Sequence, residues 1–445
     1  MIAVGKFSIA QNIAINDSDL LNKGTHLAYH EANNTAQLRA VFNDYNNRFS
    51  KAQSQMQQLL PWLEKDRSEI IAIVKETLSI KEEWIPKVTT KIVGRTINKK
   101  FVVDQIQFES WKNALGAAHL YTPLNNTKGN KLPVVLLACG HGDGGKLYNS
   151  YRLMAENMAS NGIAVIVPDN IGQGERSPMG HYNPVGVFDC GLTVQGLIVM
   201  ETIGWLNWLQ GQDQFDHNKV AVCGNSGGGT LGLFLAAIAS EKFSALVCSG
   251  YPSTFEYVAR KEKVHCMCNM VPGIIGRAEM WQVLGCFAPK PMFILQGNSD
   301  EFFPVDLFYE VSRKVGDVYQ AKKSAPNFKS QVFDGLHGWD ETRIRTITQY
   351  MCTQFDLPWD ASLMLGKWSN SPAPNCFIEW PKRAITVNSL AEQISGRKIK
   401  SEFLWEVFPP ASLSKNSLKE VHSLPRGDCR VVFAQYEAFL GTKRN

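Results

Sequence analysis

The sequence predicts an α/β protein in which a mostly parallel, eight-stranded sheet is flanked by helices. Short runs of aliphatic and β-branched residues alternate with helical segments, which is typical of strands buried on both faces of a parallel sheet. The hydrophobic pattern also changes near residue 96 from a helical period to strand-like runs. With 445 residues, the chain is long enough for one large domain with additions.

The composition is that of an ordinary globular protein. Hydrophobic residues make up 44% of the chain and charged residues 20%. The net charge of +5 is mild, and the chain contains no block of like charges. The charge pattern therefore favours neither nucleic acid nor a membrane surface as a partner. Ten cysteines are too few for a disulfide scaffold, and the N-terminus gives no convincing signal peptide. We therefore expect a cytoplasmic protein.

Three segments differ in pattern. Residues 1–95 predict a helical N-terminal extension, because apolar residues recur every three or four positions. Residues 96–362 contain the strand-like runs, and within them residues 251–290 lack a clear strand and predict a lid-like excursion over the carboxyl edge of the sheet. Residues 363–445 become rich in Pro, Ser and Asn before further strand-like runs, which predicts a small β-containing appendage.

Eight strands are predicted in the central segment. The first two form a pair that precedes the alternating region. The predicted strands cover residues 101–108, 117–121, 134–138, 163–167, 220–222, 245–247, 292–295 and 329–333.

The most informative motif lies where one of these strands meets a helix. Ser226 has Gly224 two places before it and Gly228 two places after it, which predicts a sharp strand-to-helix turn with a raised serine hydroxyl. The first amide of the following helix, at Gly227, would then face the group that the serine attacks. Ser299 follows the same two residue types but lacks the later glycine, so Ser226 is the predicted nucleophile.

Two later strands end near the residue types that a serine nucleophile needs. A serine hydroxyl requires a base to remove its proton, and the base requires an orienting acid. Asp300 and His337 each follow a strand, so both would lie at the same sheet edge as Ser226. Asp334 and Asp306 remain alternative acids, because spacing alone does not exclude them.

The loop after the strand at 134–138 is rich in glycine and predicts a second oxyanion donor. The amide of Asp143 or of Gly142 is the candidate partner to Gly227. A phosphate-binding loop is not supported, because Leu147 stands where such a loop needs Ser or Thr.

Several nearby side chains are candidates for the wall of a substrate pocket, although core packing is the alternative for the aromatic ones. These residues are His141, Trp281, Phe302, Phe303 and Trp339. Asp169 and Arg176 follow another strand, and we expect them to tie loops together near the site.

A metal site is not predicted. His265, Cys266 and Cys268 form a short cluster, but a zinc site needs three or four ligands and no second Cys or His pair is obvious downstream. No cofactor is predicted.

Over residues 100–355 the sequence resembles the acetylxylan-esterase-like and dienelactone-hydrolase-like branch of the α/β-hydrolase superfamily. The motifs that carry the resemblance are Gly140 to Gly142, Asp169 to Arg176, Gly224 to Gly229, His265 to Asn269 with Pro272 and Gly273, Ala288 to Pro291, and Asp300 to Pro304.

The resemblance implies an α/β-hydrolase fold with Ser226 as nucleophile, Asp300 as acid and His337 as base. It also implies hydrolysis of small carboxylic esters through an acyl-enzyme, with an acetylated carbohydrate as one candidate substrate. A peptidase or amidase of the same fold, or a catalytically silent binding protein, remains an alternative.

Overall fold

The structure is a computed structural model. It describes residues 36–124, 131–142, 144–182, 184–260, 266–366, 374–410 and 429–441. Among the described helices, none is both long enough and apolar enough to cross a membrane.

One nine-stranded sheet forms the centre of the protein. Its strands are β1 (Thr89–Ile97), β2 (Phe101–Glu109), β3 (Leu115–Pro123), β4 (Leu132–Ala138), β5 (Ala164–Pro168), β6 (Phe215–Asn225), β7 (Ala245–Ser249), β8 (Met292–Gly297) and β9 (Phe328–Phe333). The spatial order is β1-β2-β3-β5-β4-β6-β7-β8-β9. The pairs β1–β2, β2–β3 and β3–β5 are antiparallel, and the other five pairs are parallel.

All eight predicted strands are present, but the predicted number was wrong by one. The additional strand, Thr89–Ile97, lies at the edge of the sheet and is exposed along most of its length. An edge strand in contact with solvent does not need the apolar run that marks a buried strand, so its sequence gave a weak signal. This strand also begins inside the segment that was predicted to be a purely helical extension.

Thirteen α-helices occur in the described residues. They are α1 (Ala36–Ser54), α2 (Glu64–Thr77), α3 (Asn149–Ser160), α4 (Val185–Asp189), α5 (Val194–Gln210), α6 (Gly227–Ile238), α7 (Phe255–Arg260), α8 (Met280–Gly285), α9 (Val305–Ala321), α10 (Glu341–Gln354), α11 (Val387–Ser395), α12 (Leu404–Val407) and α13 (Cys429–Leu440). The helical N-terminus is confirmed by α1 and α2, although α1 ends at Ser54.

Helices cover both faces of the sheet. Along β4, the side chains of Val134 and Leu136 belong to one core, whereas those of Val135 and Leu137 belong to the other. Helices α5 and α6 pack in the first core, and α3 and α10 pack in the second. Because β4 buries both of its faces, its sequence is a continuous apolar run rather than an alternating one.

The β-containing appendage predicted for residues 363–445 is absent from the described part of that segment. Among the described residues after 366, the regular elements are helices α11, α12 and α13, and the strand-like run that begins at Cys429 is helical. Tyr45 and Phe433 stack at 5.3 Å between α1 and α13. Glu437, which is fully buried on α13, accepts hydrogen bonds from Tyr45 and from both terminal nitrogens of Arg48. Burial against α1 therefore overrides the β preference of this segment.

The excursion predicted at residues 251–290 contains α7 and α8 in its described part and no strand there. Its backbone pairs with the C-terminal helix, because the amide of Gly273 donates to the carbonyl of Ala438 at 2.8 Å. The chain's first and last described helices thus pack near the segment that lies beside the carboxyl edge of the sheet.

Candidate active site

Ser226 lies on a strained turn between β6 and α6. Its backbone has φ 58° and ψ −120°, a conformation that non-glycine residues rarely adopt and that commonly marks a functional site. The Ser226 amide donates to the carbonyl of Ser249 at 2.9 Å, which fixes the turn to β7. A Cβ on Gly224 would collide with the backbone of Gly228, and one on Gly228 would collide with the backbone of Ala138. The spacing of the two glycines therefore follows from close backbone packing around the serine.

Asp300 and His337 are hydrogen-bonded to one another. Asp300 follows β8, His337 follows β9, and His337 Nδ1 lies 2.8 Å from Asp300 Oδ2. The other carboxylate oxygen of Asp300 accepts the amides of Phe302 and Phe303 at 2.9 and 3.0 Å. Because a carboxylate only accepts, His337 carries its hydrogen on Nδ1 and presents Nε2 as the basic nitrogen.

The two alternative acids lie elsewhere. Asp334 is exposed and accepts a hydrogen bond from the Asn298 side chain at 2.8 Å. Asp306 is exposed in the first turn of α9. The structure thus brings Asp300 to His337, as the order of residues along the chain predicted.

Ser226 and His337 line one cavity of about 190 Å³ at the carboxyl edge of the sheet. Aromatic rings form much of its wall, and a few polar groups lie among them. The full lining is His141, Ser226, Gly227, Thr230, Tyr251, Asn269, Phe302, Phe303 and His337.

The cavity contains some of the predicted pocket residues and not others. His141, Phe302 and Phe303 line it. Trp281 does not, because it lies on α8 near the ammonium of Lys314. Trp339 is buried behind the cavity and donates from Nε1 to Ser249 Oγ at 3.0 Å.

Sequence reasoning missed Thr230, Tyr251 and Asn269. Thr230 lies one helical turn after Ser226, so helical spacing could have identified it. Tyr251 and Asn269 belong to the excursion after β7, where no sequence pattern indicated which side chains face the cavity.

Only part of the predicted oxyanion site falls within the described residues. Gly227 follows Ser226 directly and opens α6, so its amide is one of the unpaired donors at a helix start. The amide of Gly142 donates to the side chain of Gln173 at 3.1 Å, which makes it a poor second donor. Asp143 lies outside the described residues and stays a prediction.

Buried ion pairs support the loops beside the cavity. Lys146 donates to Asp169 from its backbone and from its ammonium, at 2.7 and 2.8 Å. Arg176 forms a two-pronged pair with Glu201 at 2.7 and 2.9 Å. Asp169 therefore ties two loops together, whereas Arg176 ties its own segment to helix α5 and to the carbonyl of Asp169.

Four potential metal ligands lie together in the structure, although the sequence predicted no metal site. His265 lies outside the described residues, but Cys266 and Cys268 lie beside two histidines from earlier in the chain, His141 and His181. The second pair of potential ligands therefore comes from loops upstream of the cysteines and not from the downstream sequence.

Known proteins share the fold of this chain. Residues 133–265 match the family described as alpha/beta hydrolase fold. No curated protein matches the chain.

The structure is similar to that of a methylesterase, with a TM-score of 0.60, 16% identity, and 79% of this chain and 78% of that chain covered. A candidate acetyl xylan esterase from Bacteroides fragilis gives a TM-score of 0.52 at 15% identity, covering 65% of this chain and 82% of that one. A glucuronoyl esterase from Solibacter usitatus gives 0.51 at 13% identity, with 66% and 93% covered. With the order of the strands and the turn at Ser226, these matches identify the chain as a protein of the α/β-hydrolase fold.

Proposed function

We propose that the protein is a serine hydrolase of carboxylic esters. One observation carries the proposal: the hydrogen-bonded pair of Asp300 and His337 opens into the same cavity as Ser226. A nucleophile on a strained turn, a base and a buried acid are the parts that acyl transfer requires.

The geometry assigns a role to each group. His337 Nε2 takes the proton of Ser226 Oγ while the oxygen attacks the ester carbonyl, and the amide of Gly227 binds the resulting oxyanion. The tetrahedral intermediate then expels the alcohol, which receives the proton from His337, and leaves an acyl-enzyme. Water, activated by the same imidazole, attacks this acyl group and restores the Ser226 hydroxyl. Asp300 orients His337 and stabilises its charged form throughout.

The cavity favours a small group next to the scissile carbonyl. Its volume of about 190 Å³ lies below the ~300–1,000 Å³ of pockets that enclose drug-sized ligands. Phe302, Phe303 and Tyr251 supply apolar wall, while Thr230 and Asn269 supply polar groups. We therefore propose a short acyl group such as acetyl. An acetylated carbohydrate is a reasonable alcohol part, since similar structures include proteins named for acetyl xylan and glucuronoyl esters.

The test compares Ser226→Ala with Ser299→Ala. Ser299 is exposed and contacts Asn298, so its loss is a matched control for replacing a serine. With p-nitrophenyl acetate, butanoate and octanoate as substrates, Ser226→Ala should lower kcat/KM by on the order of 10³-fold or more, and Ser299→Ala should not. Acetate should be the best substrate of the wild-type protein.

Labelling with a fluorophosphonate provides an independent measurement. Mass spectrometry should find the label on Ser226 in the wild-type protein and in Ser299→Ala. A wild-type protein that neither reacts nor hydrolyses any ester would refute the proposal in favour of a binding role. Faster turnover of p-nitroanilides than of the matched esters would instead indicate an amidase.

A further inference from the structure

We propose that His141, His181, Cys266 and Cys268 form a binding site for one Zn²⁺ ion beside the cavity. The inference goes beyond ester hydrolysis and does not depend on it. One nitrogen of each imidazole and the two sulfurs all lie within 4.8 Å of one another.

Two of the distances between these atoms are a little shorter than those of a tetrahedral zinc site. His141 Nε2 lies 3.1 Å from Cys268 Sγ and 3.1 Å from His181 Nε2. Around a tetrahedral zinc, ligand atoms are separated by ~3.3 Å for two nitrogens, ~3.6 Å for nitrogen and sulfur and ~3.8 Å for two sulfurs, given the usual zinc–ligand bond lengths. These two pairs would therefore separate by a few tenths of an ångström to accommodate the ion.

The hydrogen bond at His181 Nδ1 fixes the ring so that Nε2 faces the cluster. His181 Nδ1 lies 2.7 Å from the carbonyl of Ile171, and a carbonyl only accepts, so Nδ1 carries the hydrogen. The lone pair of neutral His181 is then on Nε2. A backbone carbonyl that fixes the tautomer in this way is the usual outer partner of a metal-bound histidine.

A hydrogen-bonded cluster without metal is the competing arrangement. The Gln173 side-chain nitrogen lies 3.0 Å from His181 Nε2 and can donate to it. Cys266 Sγ likewise accepts the amide of Cys268 at 3.4 Å. These hydrogen bonds leave two cysteine side chains and two imidazoles facing each other, and bonds to zinc would stabilise this group of side chains better.

Charge and burial favour zinc among biological cations. His181, Cys266 and Cys268 are each no more than 3% exposed. Two thiolates would neutralise the ion, so that binding releases two protons and buries a site with no net charge. Two sulfurs with two imidazole nitrogens also form a donor set that binds zinc more tightly than harder cations such as Mg²⁺ or Ca²⁺.

The four residues belong to three separate loops. His141 follows β4, His181 follows the short 3₁₀ segment Gly174–Met179, and the cysteines belong to the excursion after β7. A four-ligand site is closed and therefore structural. The ion would hold the excursion to the loop that carries His141, whose ring lies against Gly227 and lines the cavity.

The test measures metal in the full-length protein after dialysis without chelator. Elemental mass spectrometry should find about one zinc ion per chain in the wild type and less than about one fifth of that in Cys268→Ser and His181→Asn. Cys286→Ser is the matched control, because Cys286 is also buried in the excursion but contacts Gln282 rather than the cluster. It should retain the wild-type content.

Titration keeps the proposal testable if a variant fails to fold. Wild-type protein stripped with chelator should bind one equivalent of Co²⁺ with thiolate charge-transfer absorption, and added Zn²⁺ should displace it and raise Tm by several degrees. The proposal would be overturned if the wild-type protein contained no zinc and, after addition of Co²⁺, showed no thiolate charge-transfer absorption. A disulfide between Cys266 and Cys268 would also overturn it. Equal metal in Cys268→Ser and Cys286→Ser would also overturn it. Each readout is independent of ester turnover.

Discussion

His337 and Asp300 meet through a single 2.8 Å hydrogen bond, while the other oxygen of Asp300 is held by two backbone amides. The carboxylate is only 1% exposed and the imidazole 12% exposed. The amides thus fix the orientation of the Asp300 carboxylate, which in turn fixes the orientation of the His337 imidazole.

Asp300→Asn should lower kcat strongly with little effect on folding. The amides of Phe302 and Phe303 need an acceptor, so the new amide oxygen should take the place of Oδ1 and its nitrogen should face His337 Nδ1. This nitrogen cannot accept, which disfavours the productive tautomer of His337. We expect a loss of ~10²–10⁴-fold in kcat. Asp334→Asn is the matched control and should stay near wild type, and a larger loss in that variant would make Asp334 the acid.

Phe302→Ala should widen the acyl preference. The Phe302 ring lies 4.9 Å from the imidazole of His337 and forms part of the cavity wall. Removing it creates space for longer chains, so the ratio of kcat/KM for p-nitrophenyl butanoate to that for acetate should rise by roughly 10-fold. Trp281→Ala, outside the cavity, should leave this ratio unchanged. An unchanged ratio in Phe302→Ala would place the acyl group elsewhere.

Arg48→Ala should destabilise the contact between the first and last described helices. Its partner Glu437 is fully buried and would lose both hydrogen bonds from the Arg48 guanidinium. Removing this cation from a buried carboxylate should lower the free energy of unfolding by about 3 kcal/mol. Urea denaturation should show this loss but a change below about 0.5 kcal/mol for Arg313→Ala, whose pair with Asp317 is exposed. Equal effects of the two variants would contradict the expectation.

Glu279 should make stability depend on pH. Burial raises the pKa of Glu279 from 4.5 to about 7, against the opposing effect of hydrogen bonds from Gln53, Phe255 and Met280. The folded state therefore binds more protons than the unfolded chain between pH 4.5 and 7, and the free energy of unfolding falls as pH rises through this window.

Glu279→Gln removes this titration and should flatten that slope in urea denaturation series at several pH values. Glu310→Gln, at an exposed position on α9, should keep the wild-type slope. The same slope in both variants would mean that other groups cause the pH dependence.

The sequence alone predicted the candidate catalytic residues and their order along the chain. Ser226 and Asp300 each follow an apolar run and His337 follows β9, and parallel strands bring their carboxyl ends to one edge, so the local pattern predicted that these three residues lie near one another. The inner strands β4 to β8 were predictable because burial on both faces favours uninterrupted apolar residues. The exposed strand Thr89–Ile97 had no such demand and was missed.

Tertiary structure alone decided the features that depend on residues far apart in the chain. The run after Cys429 has β-forming residues, yet it is helical because its apolar face packs on α1, almost four hundred positions earlier. Trp281 and Trp339 look like pocket residues in sequence, but packing turns both away from the cavity. His141 and His181 join Cys266 and Cys268 only because three loops converge. Local pattern fixes which residues end a strand, whereas the contacts between distant segments determine which of them meet.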